Sequence, residues 1–194
     1  RGDTMKLLAC PKCHQQLHLE NKTLKCENNH CYDISKRGYI NLLLNPDKAT
    51  NNPGDSKESL VARKAYLNKG YYDPILNQVI TCIDEFKHQD DLSILDLGCG
   101  EGYYTQGLKK HFENSDIYGL DISKIAIDMA TRYRKDVTWL VGNSKNIPIL
   151  DHSLDFICAL FTVVNQDELK RALKEDGYIV HVTANNQHLI EIKE

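Results

Sequence analysis

From residue 92 onward the sequence alternates short apolar runs with amphipathic ones and places no hairpin turn between them. Residues 92–97, 117–120, 137–141, 154–161 and 178–182 read as strands. Residues from about 103, then 125–133 and 167–174, read as helices. A chain that passes through a helix between consecutive strands pairs them in parallel, and a parallel sheet is covered on both faces. The pattern therefore predicts an α/β domain with a doubly wound, Rossmann-like sheet. Such sheets bind ligands beyond the carboxyl ends of their strands, which directs attention to the loops after residues 97, 120, 142 and 161. Two helices are expected ahead of the sheet. One starts at the capping box Asp55…Glu58 and stops near Gly70; the other opens at Asp73-Pro74 with Ile75, Leu76, Val79, Ile80, Ile83 and Phe86 on one face.

The 194 residues are 41% hydrophobic and 26% charged, with a net charge of -3, the balance of a folded globular chain. No apolar run approaches the roughly 18–20 residues of a membrane span, and the amino terminus lacks the layout of a secretory signal, so a cytoplasmic protein without a membrane partner is expected. The charge is uneven. Residues 1–45 carry seven Lys/Arg against four Asp/Glu, and the remainder carries seventeen against twenty-three. This distribution excludes a protein that grips nucleic acid over its whole surface. Composition divides the chain into a cysteine-rich segment (5–45), a polar linker (46–59) and an α/β domain (60–194). Arg1 to Thr4, before Met5, read as an appended expression remnant.

Seven cysteines, an odd number, argue against a closed disulfide framework, and four of them lie within the first 31 residues. Cys10-Pro11-Lys12-Cys13 is followed by Cys26 and then by His30-Cys31, a spacing that presents two pairs of donors on two knuckles, as a tetrahedral zinc site requires. Residues 17–19 and 23–25 alternate about Asn21-Lys22 and predict a hairpin between the knuckles. About 40 residues bury too little core to fold unaided, which a structural metal remedies. Spacing leaves His30 and Cys31 both open as fourth ligand. Cys82, Cys99 and Cys158 read as small core residues.

Asp96-Leu97-Gly98-Cys99-Gly100-Glu101-Gly102 follows a buried strand and precedes a helix, the place where glycines let a backbone approach a ligand closely. Asp121 closes the next strand, where its two carboxylate oxygens match the two hydroxyls of a ribose; capping the following helix is the competing role. Gly142-Asn143-Ser144 follows the third strand, at the height of an adenine edge. Asp96 and Glu101 would repel a pyrophosphate but suit a cation. The loop therefore favours S-adenosylmethionine, with its sulfonium and ammonium, over a dinucleotide.

These motifs, with 10–17, 32–43 (Tyr-Asp-Ile-Ser-Lys-Arg-Gly-Tyr-Ile-Asn-Leu-Leu), 52–56, 62–67 and 70–74, resemble the RrmA-type family of ribosomal large-subunit RNA (guanine-N1)-methyltransferases. The resemblance implies a class I S-adenosylmethionine-dependent methyltransferase fold carrying a small zinc-knuckle module that helps recognise a 23S rRNA hairpin. It makes Cys10, Cys13, Cys26 and His30 the zinc ligands, and Gly98, Gly100, Glu101, Asp121, Tyr72 and His188 cofactor contacts, which Asn143 and Ser144 join by their position after the third strand. Val163 stands where the family places a proline in the loop facing the target base. The class adds two strands after the fifth, so the carboxyl-terminal strands are expected to be missing here.

The target guanine must be unpaired or flipped for N1 to react, and Phe161 is a candidate to stack on it. RNA would meet Lys12, Lys22, Lys25, Lys36, Arg37, Arg63, Lys64 and Lys69. No residue is assigned as the base that removes the N1 proton. Asp151 and Asp155 lie at the start of their strand, the wrong end. The competing readings are a methyltransferase of a small molecule or protein, in which the zinc module serves dimerisation or lid closure, and a non-catalytic RNA-binding protein that retains the cofactor fold. A homodimer is compatible with each.

Overall fold

The computed structural model describes residues 5–44, 57–67 and 69–183. The expected linker up to residue 56, Asp55 of the capping box and His188 lie outside them.

The amino-terminal segment builds a three-stranded antiparallel sheet from β1 (His18–Glu20), β2 (Thr23–Lys25) and β3 (Cys31–Asp33). The hairpin expected from the sequence is its first two strands. Asn21 takes the left-handed conformation between them, which asparagine tolerates better than other residues with a side chain. A fourth strand, β4 (Ile40–Asn41), leaves this sheet and pairs in parallel with the edge of a larger one.

The larger sheet runs β4-β7-β6-β5-β8-β9, with every neighbouring pair parallel. Its other strands are β5 (Ser93–Leu97), β6 (Asp116–Asp121), β7 (Thr138–Val141), β8 (Leu154–Leu160) and β9 (Leu173–Val182). The helices are α1 (Lys57–Leu67), α2 (Asp73–Phe86), α3 (Tyr103–His111), α4 (Lys124–Ala130) and α5 (Gln166–Ala172). From β5 the strands step outward to β6 and β7; the chain then returns to β8 on the other side of β5. This reversal puts the crevice of a doubly wound sheet between the loops that follow β5 and β8.

Strand alternation sends Ile94, Trp139, Val141, Phe156, Cys158 and Leu160 to one face, where they pack with Val79 and Ile83 of α2, Tyr104 and Leu108 of α3 and Ile127 of α4. Leu95, Leu97, Leu140, Ile157 and Ala159 point the other way. There they meet Leu169 and Ala172 of α5 together with Leu8, Cys10, Leu17, Leu24 and Cys26. The zinc segment thus stands where a doubly wound sheet ordinarily carries a helix. The connection from β7 to β8 supplies no helix there, and it is bonded to the segment instead: the Ala9 N–H donates to Pro148 O, the Leu150 N–H to Leu7 O and the Asn146 side-chain amide to Pro11 O.

Candidate functional site

Cys10, Cys13, Cys26 and His30 place one ligand atom each within 4.8 Å of the others. Cys13 Sγ lies 3.7 Å from Cys26 Sγ, and His30 Nδ1 lies 3.4, 3.5 and 3.5 Å from the sulfurs of Cys10, Cys13 and Cys26. A tetrahedron with metal–sulfur bonds of about 2.3 Å and a metal–nitrogen bond of about 2.0–2.1 Å has edges of about 3.8 Å between sulfurs and about 3.6 Å from sulfur to nitrogen. The donor set therefore fits zinc in both chemistry and spacing. With four protein donors and no open position, the metal is structural.

Both knuckles turn through a left-handed residue other than glycine: His14, whose N–H donates to Cys10 O, and Asn29, whose N–H donates to Cys26 O. The Cys13 thiol is lowered to about 6, first by the backbone N–H of Gln15 and then by Asn28, so it is largely thiolate at neutral pH. The Tyr32 hydroxyl lies 3.2 Å from Cys10 Sγ, an outer partner that the spacing of the ligands did not reveal. Cys31 is exposed, and its thiol donates to Asn29 O. The alternative left open by the spacing is thus resolved in favour of His30.

The second candidate site lies at the crevice. Gly98 (φ +73°) presses against the loop after β8, and a Cβ there would sit 2.5 Å from Thr162 Oγ1. Gly100 (φ +55°) faces open space, with nothing within 4 Å of where its Cβ would be, so the backbone offers an uncovered cradle. Asp121 holds that cradle. One carboxylate oxygen accepts the Gly100 N–H at 2.9 Å and the other accepts the Ser123 N–H at 2.7 Å. The cap of α4 is Ser123, which accepts from the Ala126 N–H, so capping is not the role of Asp121.

Asp96 lies beneath the loop, 1% exposed, and accepts a hydrogen bond from the Thr105 hydroxyl. Burial first, and then the charges of Asp121 and Glu101, raise its carboxyl to about 7 against the pull of that bond. Glu101 is itself 3% exposed. Three carboxylates around an open backbone cradle fit a cationic ligand such as S-adenosylmethionine and disfavour a pyrophosphate.

Asn143 and Ser144 follow β7 on the same rim, joined to it by the Gly142 N–H donating to Asp121 O, and the Asn143 side-chain oxygen accepts the Lys145 N–H. Tyr72 precedes α2, and its ring meets that of Phe161 edge-on at 6.2 Å. A surface cleft of about 350 Å3 beside α3 includes Glu101 in its lining but neither Gly98 nor Asp121, so it is distinct from the cradle. Among the basic residues expected to meet RNA, Arg37 is committed to Asp128 of α4 at 2.8 Å, while Lys12, Lys22, Lys36 and Lys69 are exposed. Asp151 pairs with Arg171. Asp155 accepts from the Ser93 N–H and from Lys174, so both carboxylates hold the sheet together.

Comparison with known proteins agrees with this geometry. Residues 94–177 match the methyltransferase domain family, and residues 8–49 match the zinc ribbon described as the RlmA amino-terminal domain. The 23S rRNA (guanine(748)-N(1))-methyltransferase of Streptomyces fradiae is 29% identical over 99% of this chain and 68% of its own. YxjB of Bacillus subtilis (strain 168), named for 23S rRNA (guanine-N1) methylation, is 30% identical over 97% of this chain and 68% of its own. Among solved structures, an S-adenosyl-L-methionine-dependent methyltransferase fold from Methanococcus maripaludis superposes with a TM-score of 0.56 at 23% identity, covering 75% of this chain and 72% of that one. With the Cys3His tetrahedron and the glycine cradle in one continuous fold, the chain belongs to the 23S rRNA (guanine-N1)-methyltransferase family.

Proposed function

We propose that this protein transfers a methyl group from S-adenosylmethionine to N1 of a guanine in a hairpin of 23S rRNA, in the cytoplasm. The observation that carries this reading is the match, over nearly all of this chain and 68% of their own length, to relatives named for that reaction, in a chain whose cradle and metal cluster are both intact. S-adenosylmethionine, when bound, supplies a methyl group on a positively charged sulfur.

The residues of this chain supply position and charge. Gly98 and Gly100 let the backbone close on the methionine part, and Asp121 presents its carboxylate to the ribose. Glu101, with Asp96 below it, provides negative potential for the ammonium and sulfonium. Asn143 and Ser144 border the adenine, and Tyr72 closes the methionine end. His188, assigned to the cofactor by family resemblance, lies outside the described residues. Zinc, held by Cys10, Cys13, Cys26 and His30, keeps the ribbon folded so that Lys12, Lys22 and Lys36 can meet the RNA backbone.

Mass spectrometry of 23S rRNA fragments before and after incubation with the protein and cofactor tests the proposal. One added methyl, mapping to guanine N1, is expected. Normal cofactor binding without any methyl on the RNA would overturn it.

A further inference from the structure

At the β4 edge of the sheet a groove of about 310 Å3 follows α4, lined by Lys124, Ile125, Asp128 and Met129 of the helix, by Arg132 just beyond it and by Tyr39 of the ribbon segment. One carboxylate organises its charges. Asp128 Oδ1 meets Arg37 Nε of the ribbon at 2.8 Å, and Asp128 Oδ2 meets Arg132 Nη2 at 3.2 Å. Arg37 is presented by a tight turn in which the Gly38 N–H donates to Ser35 O and Gly38 takes a left-handed φ of +94°. Both guanidiniums are half exposed, and so are open to a second partner. Lys36, next to Arg37, and Lys124, one turn before Asp128, are exposed as well. A guanidinium has more N–H donors than one shared carboxylate oxygen can accept, so each arginine keeps donors for another anion while Asp128 fixes its position.

We infer that this groove holds the sugar–phosphate backbone of the substrate RNA, with Arg37 and Arg132 as a fork for one phosphodiester and Lys36 and Lys124 flanking it; this rests on the rRNA methyltransferase reading above. The chemistry of the cradle requires such a place. Asp96, Glu101 and Asp121 make the loop after β5 negative, and the potential that suits a cationic cofactor repels a phosphodiester. A neutral base can enter the cradle, but its backbone has to be held on positive ground alongside. The groove is that ground, since Arg37, Lys124 and Arg132 face the single carboxylate of Asp128. It also starts beside the cradle: Lys124 follows Ser123, whose N–H is held by the same Asp121 that braces Gly100. A tie between ribbon and α4 needs only the Arg37–Asp128 pair, which is neutral. The second arginine on that carboxylate adds a charge that the tie does not use. Lys124 and Arg132 lie outside the ribbon, so the RNA is gripped by both parts of the molecule, and phosphate contacts set the register in which the base is presented.

The test uses the full-length protein and a 23S rRNA fragment, with binding measured between about 50 and 200 mM salt. Arg132→Gln and Lys124→Gln are each expected to weaken binding by about three- to ten-fold and to lower the slope of log affinity against log salt by about one. Arg132→Lys should keep the wild-type slope. Lys170→Gln removes the same charge from α5, on the opposite face of the sheet from α4, and should change neither quantity. Arg132→Gln should also keep the wild-type melting temperature and calorimetric affinity for S-adenosylmethionine, which separates an RNA contact from a structural tie. Unchanged affinity and slope in both groove variants, an equal loss in Lys170→Gln, or a loss of binding that comes only with a lower melting temperature would overturn the groove alone while wild type methylates the RNA. Absence of methyl transfer to 23S rRNA by cofactor-bound wild type would overturn the parent reading with it.

Discussion

Asp96 is buried under the loop it supports, and its carboxyl is pushed up to about 7 by desolvation and by the charges of Asp121 and Glu101. A carboxyl with a raised folded value stabilises the protein relative to the unfolded chain at low pH, and this contribution is lost as pH rises from about 4 through about 7. Asp96→Asn should therefore flatten the fall in apo-protein stability across that window, measurable as the thermal midpoint against pH. A cationic ligand favours the ionised form, so wild-type affinity for S-adenosylmethionine should strengthen as pH rises through 7, with a proton released on binding. Calorimetry in buffers of different ionisation enthalpy reads both. Asp121→Asn keeps the shape but leaves either the Gly100 or the Ser123 N–H without an acceptor, and should weaken cofactor binding by about ten-fold or more. At this scale the sequence was informative, because the glycines and Asp121 carry their chemistry in their spacing. It could not show that Asp121 braces the cradle, since a bond from Gly100 across to β6 is a product of the fold.

Among the elements, the connection from β7 to β8 depends most on a single side chain. Arg171 of α5 donates to the carbonyls of Ile147 and Ile149 and pairs with Glu168 and Asp151, while Glu168 accepts the Ile147 N–H. Arg171→Lys keeps the charge but cannot span two carbonyls and two carboxylates, and should cost about 2–4 kcal/mol, seen as a lower urea midpoint with unchanged slope. Strand periodicity made β5 to β8 legible to within a residue or two. The carboxyl end of α5 was read too long: the helix ends at Ala172 because buried Leu173 turns extended to pair with Leu154, and Lys174–Gly177 bulge outward before Tyr178 meets Phe156. β3 and β4, at three and two residues, are too short to leave a periodic trace.

Over the whole molecule, the zinc ribbon is a structural layer. Leu8, Leu17 and Leu24 share one core with Leu95, Leu97 and Leu140, and Arg37 is tied to α4 through Asp128. Chelating the metal, or substituting Cys26→Ser, should lower the melting temperature by on the order of 20 °C in one cooperative transition and weaken cofactor binding as well. An appended module would instead melt alone and leave the sheet untouched. Cys31→Ser, outside the tetrahedron, should keep one equivalent of zinc and the wild-type melting temperature. The shared core also bears on how such a protein can change over evolutionary time. In sequence, the segment before residue 45 has the look of a cassette. Recombination at that seam would strip one face of the sheet and join it to a stranger's leucines, so a working exchange has to carry the ribbon, β4 and the β7–β8 connection together as one inheritance.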